Sequence, residues 1–114
     1  MKNISFSMTT PQIRDRSKTV TRRLGWERLK AGDTLKACVK CQGIKAGELE
    51  RLGPIRVVSV SREELGVITA SDVTREGFPA MTPAEFITRF IGHYGERVIN
   101  SKSIVTRIEF EYID

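Results

Sequence analysis

The chain has 114 residues, 39% hydrophobic and 29% charged, which is the composition of one globular domain spanning 1–114. No stretch approaches the roughly 18 apolar residues of a membrane span. The opening MKNISFSMTT lacks the apolar run of a secretory signal, so a cytoplasmic protein with no membrane partner is expected. Two cysteines are too few for a disulfide scaffold.

The net charge of +5 conceals an asymmetry. Residues 1–57 carry 13 basic and 5 acidic side chains, whereas residues 58–114 carry 6 basic and 9 acidic. Within the first half, the segment 14–30 (RDRSKTVTRRLGWERLK) holds seven basic and two acidic groups. Such a cluster is the footprint of a phosphate-bearing or polyanionic ligand, or else a solvated charged face.

Taken in chain order, Asn3–Met8 alternates apolar and polar residues and predicts a first strand. Thr9-Thr10-Pro11 then reads as a helix cap followed by a first-turn proline, opening a brief helix towards Arg16. Thr19–Leu24 is rich in β-branched residues and predicts a strand, with Thr19, Thr21 and Arg23 on one face and Val20, Arg22 and Leu24 on the other. Gly25 breaks it, and Trp26–Leu29 is expected to form one helical turn. Gly32-Asp33 is a turn launching the strand Thr34–Cys41. Gln42–Gly53, with its three glycines, reads as a long polar hairpin loop. Pro54–Glu63 predicts a long strand with Ile55, Val57, Ser59 and Ser61 on one face and Arg56, Val58, Val60 and Arg62 on the other. Ser71 is placed to cap a short helix over Asp72–Glu76, ended by Gly77-Phe78-Pro79. Thr82-Pro83-Ala84-Glu85 has the pattern of a capping box with proline at the first helical position. Phe86, Ile87, Phe90 and Ile91 then form one apolar stripe at helical spacing. Ser103–Tyr112 alternates as a final strand. Five or six short strands with two or three helices make an α+β fold, a small, mostly antiparallel β-barrel with helices covering its ends.

The common chemical motifs are absent. Cys38 and Cys41 have CxxC spacing, but positions i and i+3 of a regular strand face opposite sides, and the chain has a single histidine, His93. No metal site is expected, and the cysteines read as buried or edge thiols. Neither a phosphate loop nor a dinucleotide fingerprint occurs, so no cofactor is expected. What remains is Ser17-Lys18-Thr19-Val20-Thr21-Arg22-Arg23. A lysine beside threonine hydroxyls can activate a nucleophile once burial or a cationic neighbour lowers its pKa. Lys18 and Thr21 converge only if Lys18 sits off the strand's alternation, at the turn before it. The competing structural account is a solvated basic strand.

The Ser17–Arg23 segment, followed by Gly32-Asp33 and a strand, resembles the ASCH domain of the PUA-like superfamily, whose hallmark is a G-x-K-T-x-T-x-R-like segment and then G-D. Ser17 stands near the usual glycine. Arg75-Glu76-Gly77-Phe78-Pro79 and the helix from Thr82 to Phe90 resemble short bacterial and phage-encoded members, and the likeness runs from about Phe6 to Tyr112. It implies a PUA-like barrel with a cleft between barrel and helices, and an RNA- or nucleotide-related ligand. Some small bacterial members are amidohydrolases that remove the acetyl group of acetylated cytidine with a lysine, a threonine and a glutamate. The resemblance places these on Lys18, Thr21 and Glu76. Others have been linked to RNA binding or RNA cleavage. For such a role Arg14, Arg16, Thr19, Arg22, Arg23, Arg28 and Lys30 would meet the ligand, with Trp26 or Phe78 stacking on a base. Whether the chain is a hydrolase or a binding module stays open at this level, as does its oligomeric state, with a monomer favoured.

Overall fold

The computed structural model describes residues 1–43, 45 and 47–114. Five strands, β1 (Lys2–Ser5), β2 (Val20–Arg23), β3 (Thr34–Cys38), β4 (Arg51–Glu64) and β5 (Ile104–Tyr112), form one curled sheet in the order β1-β3-β4-β5-β2. The pairings β3–β4, β4–β5 and β2–β5 are antiparallel, while β1 runs parallel to β3. Among the described residues three α-helices, α1 (Thr10–Arg14), α2 (Ala70–Arg75) and α3 (Pro83–Tyr94), complete a small α+β half-barrel. No helix among the described residues is long and apolar enough to cross a membrane.

Two apolar clusters divide the interior. Ile4, Phe6, Leu35, Ile55, Val57, Ile108 and Phe110 fill the concave side of the sheet. Leu65, Val73, Phe86, Phe90, Ile99 and Val105 pack α2 and α3 against the end of the β4–β5 ribbon. The apolar stripe of α3 divides as its spacing requires, with Phe86 and Phe90 buried and Ile87 and Ile91 packed at the margin.

Several local expectations are corrected. Strand β4 begins at Arg51, because Val39 donates to the Glu50 carbonyl and the ladder continues into the predicted loop. Of that 42–53 loop, Ile44 and Ala46 lie outside the described residues. The even alternation assigned to β4 fails at Val58. The register passes from Val57↔Phe110 to Ser59↔Glu109, leaving Val58 as an extra, exposed residue. This bulge brings Val60, half-buried, against the barrel core and leaves Ser61 exposed. Trp26–Leu29 is a turn closed by the Leu29 amide on the Trp26 carbonyl, with Trp26 at a left-handed φ of 56°. The α2 cap is Thr69, which accepts from the Asp72 amide, and not Ser71. Strand β3 ends at Cys38, so the chain turns back before Cys41 and the two cysteines are joined as a disulfide. Opposite-face spacing did not apply beyond the strand's end.

The capping box of α3 forms as its sequence dictates. Thr82 Oγ1 accepts from the Glu85 amide at 3.2 Å, and Glu85 Oε1 accepts from the Thr82 amide at 3.0 Å. Thr82→Ala is expected to cost about 1 kcal/mol. Urea denaturation should show it as a lower midpoint at unchanged m-value.

Candidate active site

The segment before β2 is held by its backbone on three sides. The Lys18 amide donates to Gln12 of α1, and the Lys18 carbonyl accepts from the Tyr112 hydroxyl at 2.5 Å. The Thr19 amide donates to Arg75 at the end of α2, and the Thr19 carbonyl accepts from Phe110 of β5. Lys18 therefore lies before the first paired residue of β2, off its alternation, and its side chain turns inward. Its Nζ donates to Glu76 Oε1 and to the Glu76 carbonyl, both at 2.8 Å. Lys18 and Glu76 are each 3% exposed.

Glu76 is placed by the way α2 ends. It is the C-cap, and Gly77 follows at φ 101°. The Gly77 amide donates to Thr74 and the Phe78 amide to Val73, which is a Schellman closure. A Cβ at position 77 would meet Gln12 Cγ at 2.8 Å and Lys18 Cβ at 3.5 Å. Only glycine satisfies both the left-handed turn and this approach.

Around the Lys18–Glu76 pair lies a network invisible to spacing rules. Arg22 donates to Glu76 Oε2 (3.2 Å), Asp72 Oδ2 (2.6 Å) and Glu63 Oε1 (2.6 Å). Asp72 also accepts from Arg107 Nε at 2.7 Å and Nη2 at 3.1 Å. Glu76 and Asp72 thus each serve more than one cation, the arrangement that lets buried charges offset their desolvation. Hydrogen bonds from Arg107, reinforced by Arg22, hold the Asp72 carboxyl well below the usual carboxylate range. Burial pushes the Lys18 amine below its ordinary value, with Arg23 and Arg22 acting the same way and Glu76 opposing them.

A cavity of about 250 Å³ opens over this pair. Lys18, Thr21, Arg22, Arg23 and Glu76 line its polar side, and Phe6, Phe78, Phe86, Phe90 and Tyr94 supply aromatic walls. It lies at the seam where the sheet's edge strands approach, since Arg23 Nη2 at the end of β2 donates to the Ser5 carbonyl of β1 at 2.6 Å. Arg23 Nε donates to Thr21 Oγ1 at 3.0 Å. Thr21 is 3% exposed, and its own hydroxyl proton has no acceptor among the described residues. A hydroxyl polarised by a guanidinium, lining the same cavity as an amine of lowered pKa fixed by a carboxylate, is a set of groups that acyl transfer can use.

The other basic residues of segment 14–30 do not converge here. Arg14 pairs with Glu50 and Arg16 with Asp114, both at the surface. Thr19 contributes backbone bonds. Trp26 and Arg28 line a separate groove with Leu29 and Lys2, and Lys30 is exposed. Sequence reasoning missed Arg89 and His93, which reach the cavity from α3, and Ser5, Ser7 and Thr9 on the opposite rim. The i, i+4 spacing of Arg89 and His93 on a capped helix is a signal that would have paired them. No cluster of metal-ligating side chains occurs among the described residues.

Because Asp72 titrates lower in the folded chain than its unfolded value of about 4, its stabilisation is fully present above that pH and is lost as the pH falls towards its depressed value. Asp72→Asn leaves Arg22 and Arg107 short of a partner and should cost about 3 kcal/mol at neutral pH. Denaturation followed between pH 7 and pH 3 should show a flatter acid limb in this variant than in the unmodified chain.

No family model matches the sequence, and no curated protein matches it. Solved structures do. An ASCH domain from Lactobacillus crispatus JV V101 superposes with a TM-score of 0.74 at 11% identity, covering 97% of this chain and 78% of that one. A protein of Enterococcus faecalis V583 described by the DUF984 family model gives 0.69 at 16% identity, covering 99% and 79%. A third, a hypothetical protein, gives 0.66 at 16% identity, covering 98% and 96%. At such identities the likeness is one of architecture alone: the chain shares the fold of these three structures, one of which is an ASCH domain.

Proposed function

We propose that the chain is an amidohydrolase acting on an acylated nucleobase amine, of which acetylated cytidine is the representative substrate. The observation that carries this is the Lys18 ammonium, fully buried and fixed 2.8 Å from Glu76, on the wall of a cavity that also holds Thr21. A solvated basic strand would leave Lys18 in water. A cavity of about 250 Å³ walled by aromatic rings suits one base and its acyl group better than an RNA strand. The dispersal of Arg14, Arg16, Arg28 and Lys30 also weakens the case for a continuous phosphate-binding stripe.

In this reading Thr21 Oγ1 attacks the acyl carbon and its proton passes to the neutral Lys18 amine. Arg23, already bonded to that oxygen, stabilises the negative charge as it develops. Lys18 returns the proton to the departing amine, with Glu76 orienting the ammonium. Water then cleaves the acyl-threonine, regenerating the hydroxyl and releasing the acid. Arg22 is committed to three carboxylates and supports Glu76 instead of touching substrate.

The test is chromatographic detection of cytidine from acetylated cytidine with the unmodified chain and with Lys18→Met. Loss of at least about 100-fold in kcat/KM is expected, the scale of removing a positioned general base. In the unmodified chain kcat/KM should rise with pH and level off below the ordinary lysine value of 10.5, because only the neutral amine accepts the proton. Absence of turnover by either protein would sink the hydrolase reading. A salt-dependent RNA titration would then examine segment 14–30 as a binding surface.

A further inference from the structure

Arg23 differs from the other buried cations around the site in what balances it. Lys18 has Glu76, Arg22 has Glu76, Asp72 and Glu63, and Arg107 has Asp72 and Glu109. Among the described residues no carboxylate forms an ion pair with Arg23, whose side chain is half-buried in the cavity wall. Its acceptors are the neutral Thr21 hydroxyl and Ser5 carbonyl, with the Phe6 ring 4.9 Å beneath it. Those bonds occupy Nε and one hydrogen of Nη2. Nη1 and the remaining Nη2 hydrogen have no acceptor among the described residues, and the side chain lines the cavity. A partly desolvated cation that no carboxylate bonds directly gains from an anion placed on its free edge. The free end-on pair of N–H groups has the spacing that meets the two oxygens of a carboxylate. Arg89, which stacks on Phe78 at the cavity's edge, also lacks a carboxylate partner among the described residues and makes the entrance positive.

We propose that the cavity retains a small carboxylate on Arg23, which is the acid released from the amide. The identity of that acid rests on the hydrolase reading, whereas the anion site rests on the charge arrangement alone. In amide hydrolysis the C–N bond breaks, the amine leaves with a hydrogen, and the oxygen of water ends on the acyl carbon. The acid formed loses its proton to solvent at neutral pH and is left as an anion beside Thr21. The same guanidinium that stabilises the oxyanion then holds the product, so short carboxylates compete with substrate.

The probe is sodium acetate, exchanged for sodium chloride at constant ionic strength, with inorganic phosphate as a second arm. Amide resonances of the isotopically labelled full chain report occupancy. Saturable acetate shifts at Thr21, Arg23 and Phe6 are expected, at least tenfold weaker in Arg23→Gln and only partly restored in Arg23→Lys, which keeps the charge without the fork. Equal titration of the unmodified chain and Arg23→Gln overturns the proposal, as does saturation by phosphate without acetate. Should Arg23→Gln fail to fold, the unmodified chain decides, because acetate shifts absent from these three residues overturn it equally. Acetate binding without turnover of acetylated cytidine would remove the hydrolase reading and leave the anion site standing. Turnover that acetate does not inhibit competitively would remove only the present proposal.

Discussion

Burying the Lys18 ammonium against the Glu76 carboxylate, 2.8 Å apart, is the constraint around which both layers of the molecule are arranged. Neither charge tolerates the interior alone. Glu76 therefore takes a second bond from Arg22, Arg22 takes Asp72 and Glu63, and Asp72 takes Arg107. These residues come from β2, β4, β5, α2 and the turn after α2. The chain of pairs thus runs between the apolar core of the sheet and the apolar core beneath the helices, joining two cores that share little hydrophobic contact. The same pairs fix where Lys18 points. Stability and the candidate chemistry consequently draw on one set of side chains.

Much of the architecture was legible in local patterns. The capping box at Thr82, the apolar stripe from Phe86 to Ile91, and the alternation of Ser103–Tyr112 each follow from short-range rules, and each forms within a residue or two of its expected place. The limits of local rules are equally specific. The bulge at Val58 depends on how β4 meets β5, so it leaves no mark on an alternating run. The parallel pairing of β1 with β3 is a tertiary choice that neither segment encodes alone. Thr69 caps α2 where Ser71 has comparable chemistry, because position in the chain's approach to the helix decides between them.

The site shows the same division. Lys18, Thr21 and Arg23 come from one segment and were singled out together by residue type and spacing. The structure gives Lys18 the irregular position that their convergence requires. Glu76 lies 58 residues further on and entered through family resemblance. Asp72, Glu63 and Arg107 were passed over because an acidic or basic residue on a helix or strand is ordinarily solvated, and only the assembled network reveals otherwise. The basic run 14–30 scatters once folded, since successive strand and turn residues point in different directions.

The seam between β1 and β2 has a bearing beyond the candidate site. A curled sheet that stops short of closure keeps two free edges, and unpaired strand edges are templates for the addition of a strand from another chain. Here β1 and β2 are only four residues long. Beside β2, the Thr19 amide is already taken by Arg75, and the Arg23 guanidinium occupies the Ser5 carbonyl across the gap. Two of the backbone groups that an added strand would need are thereby already taken at the mouth of the cavity, so the contacts that frame it also blunt the sheet's edges against pairing with another chain.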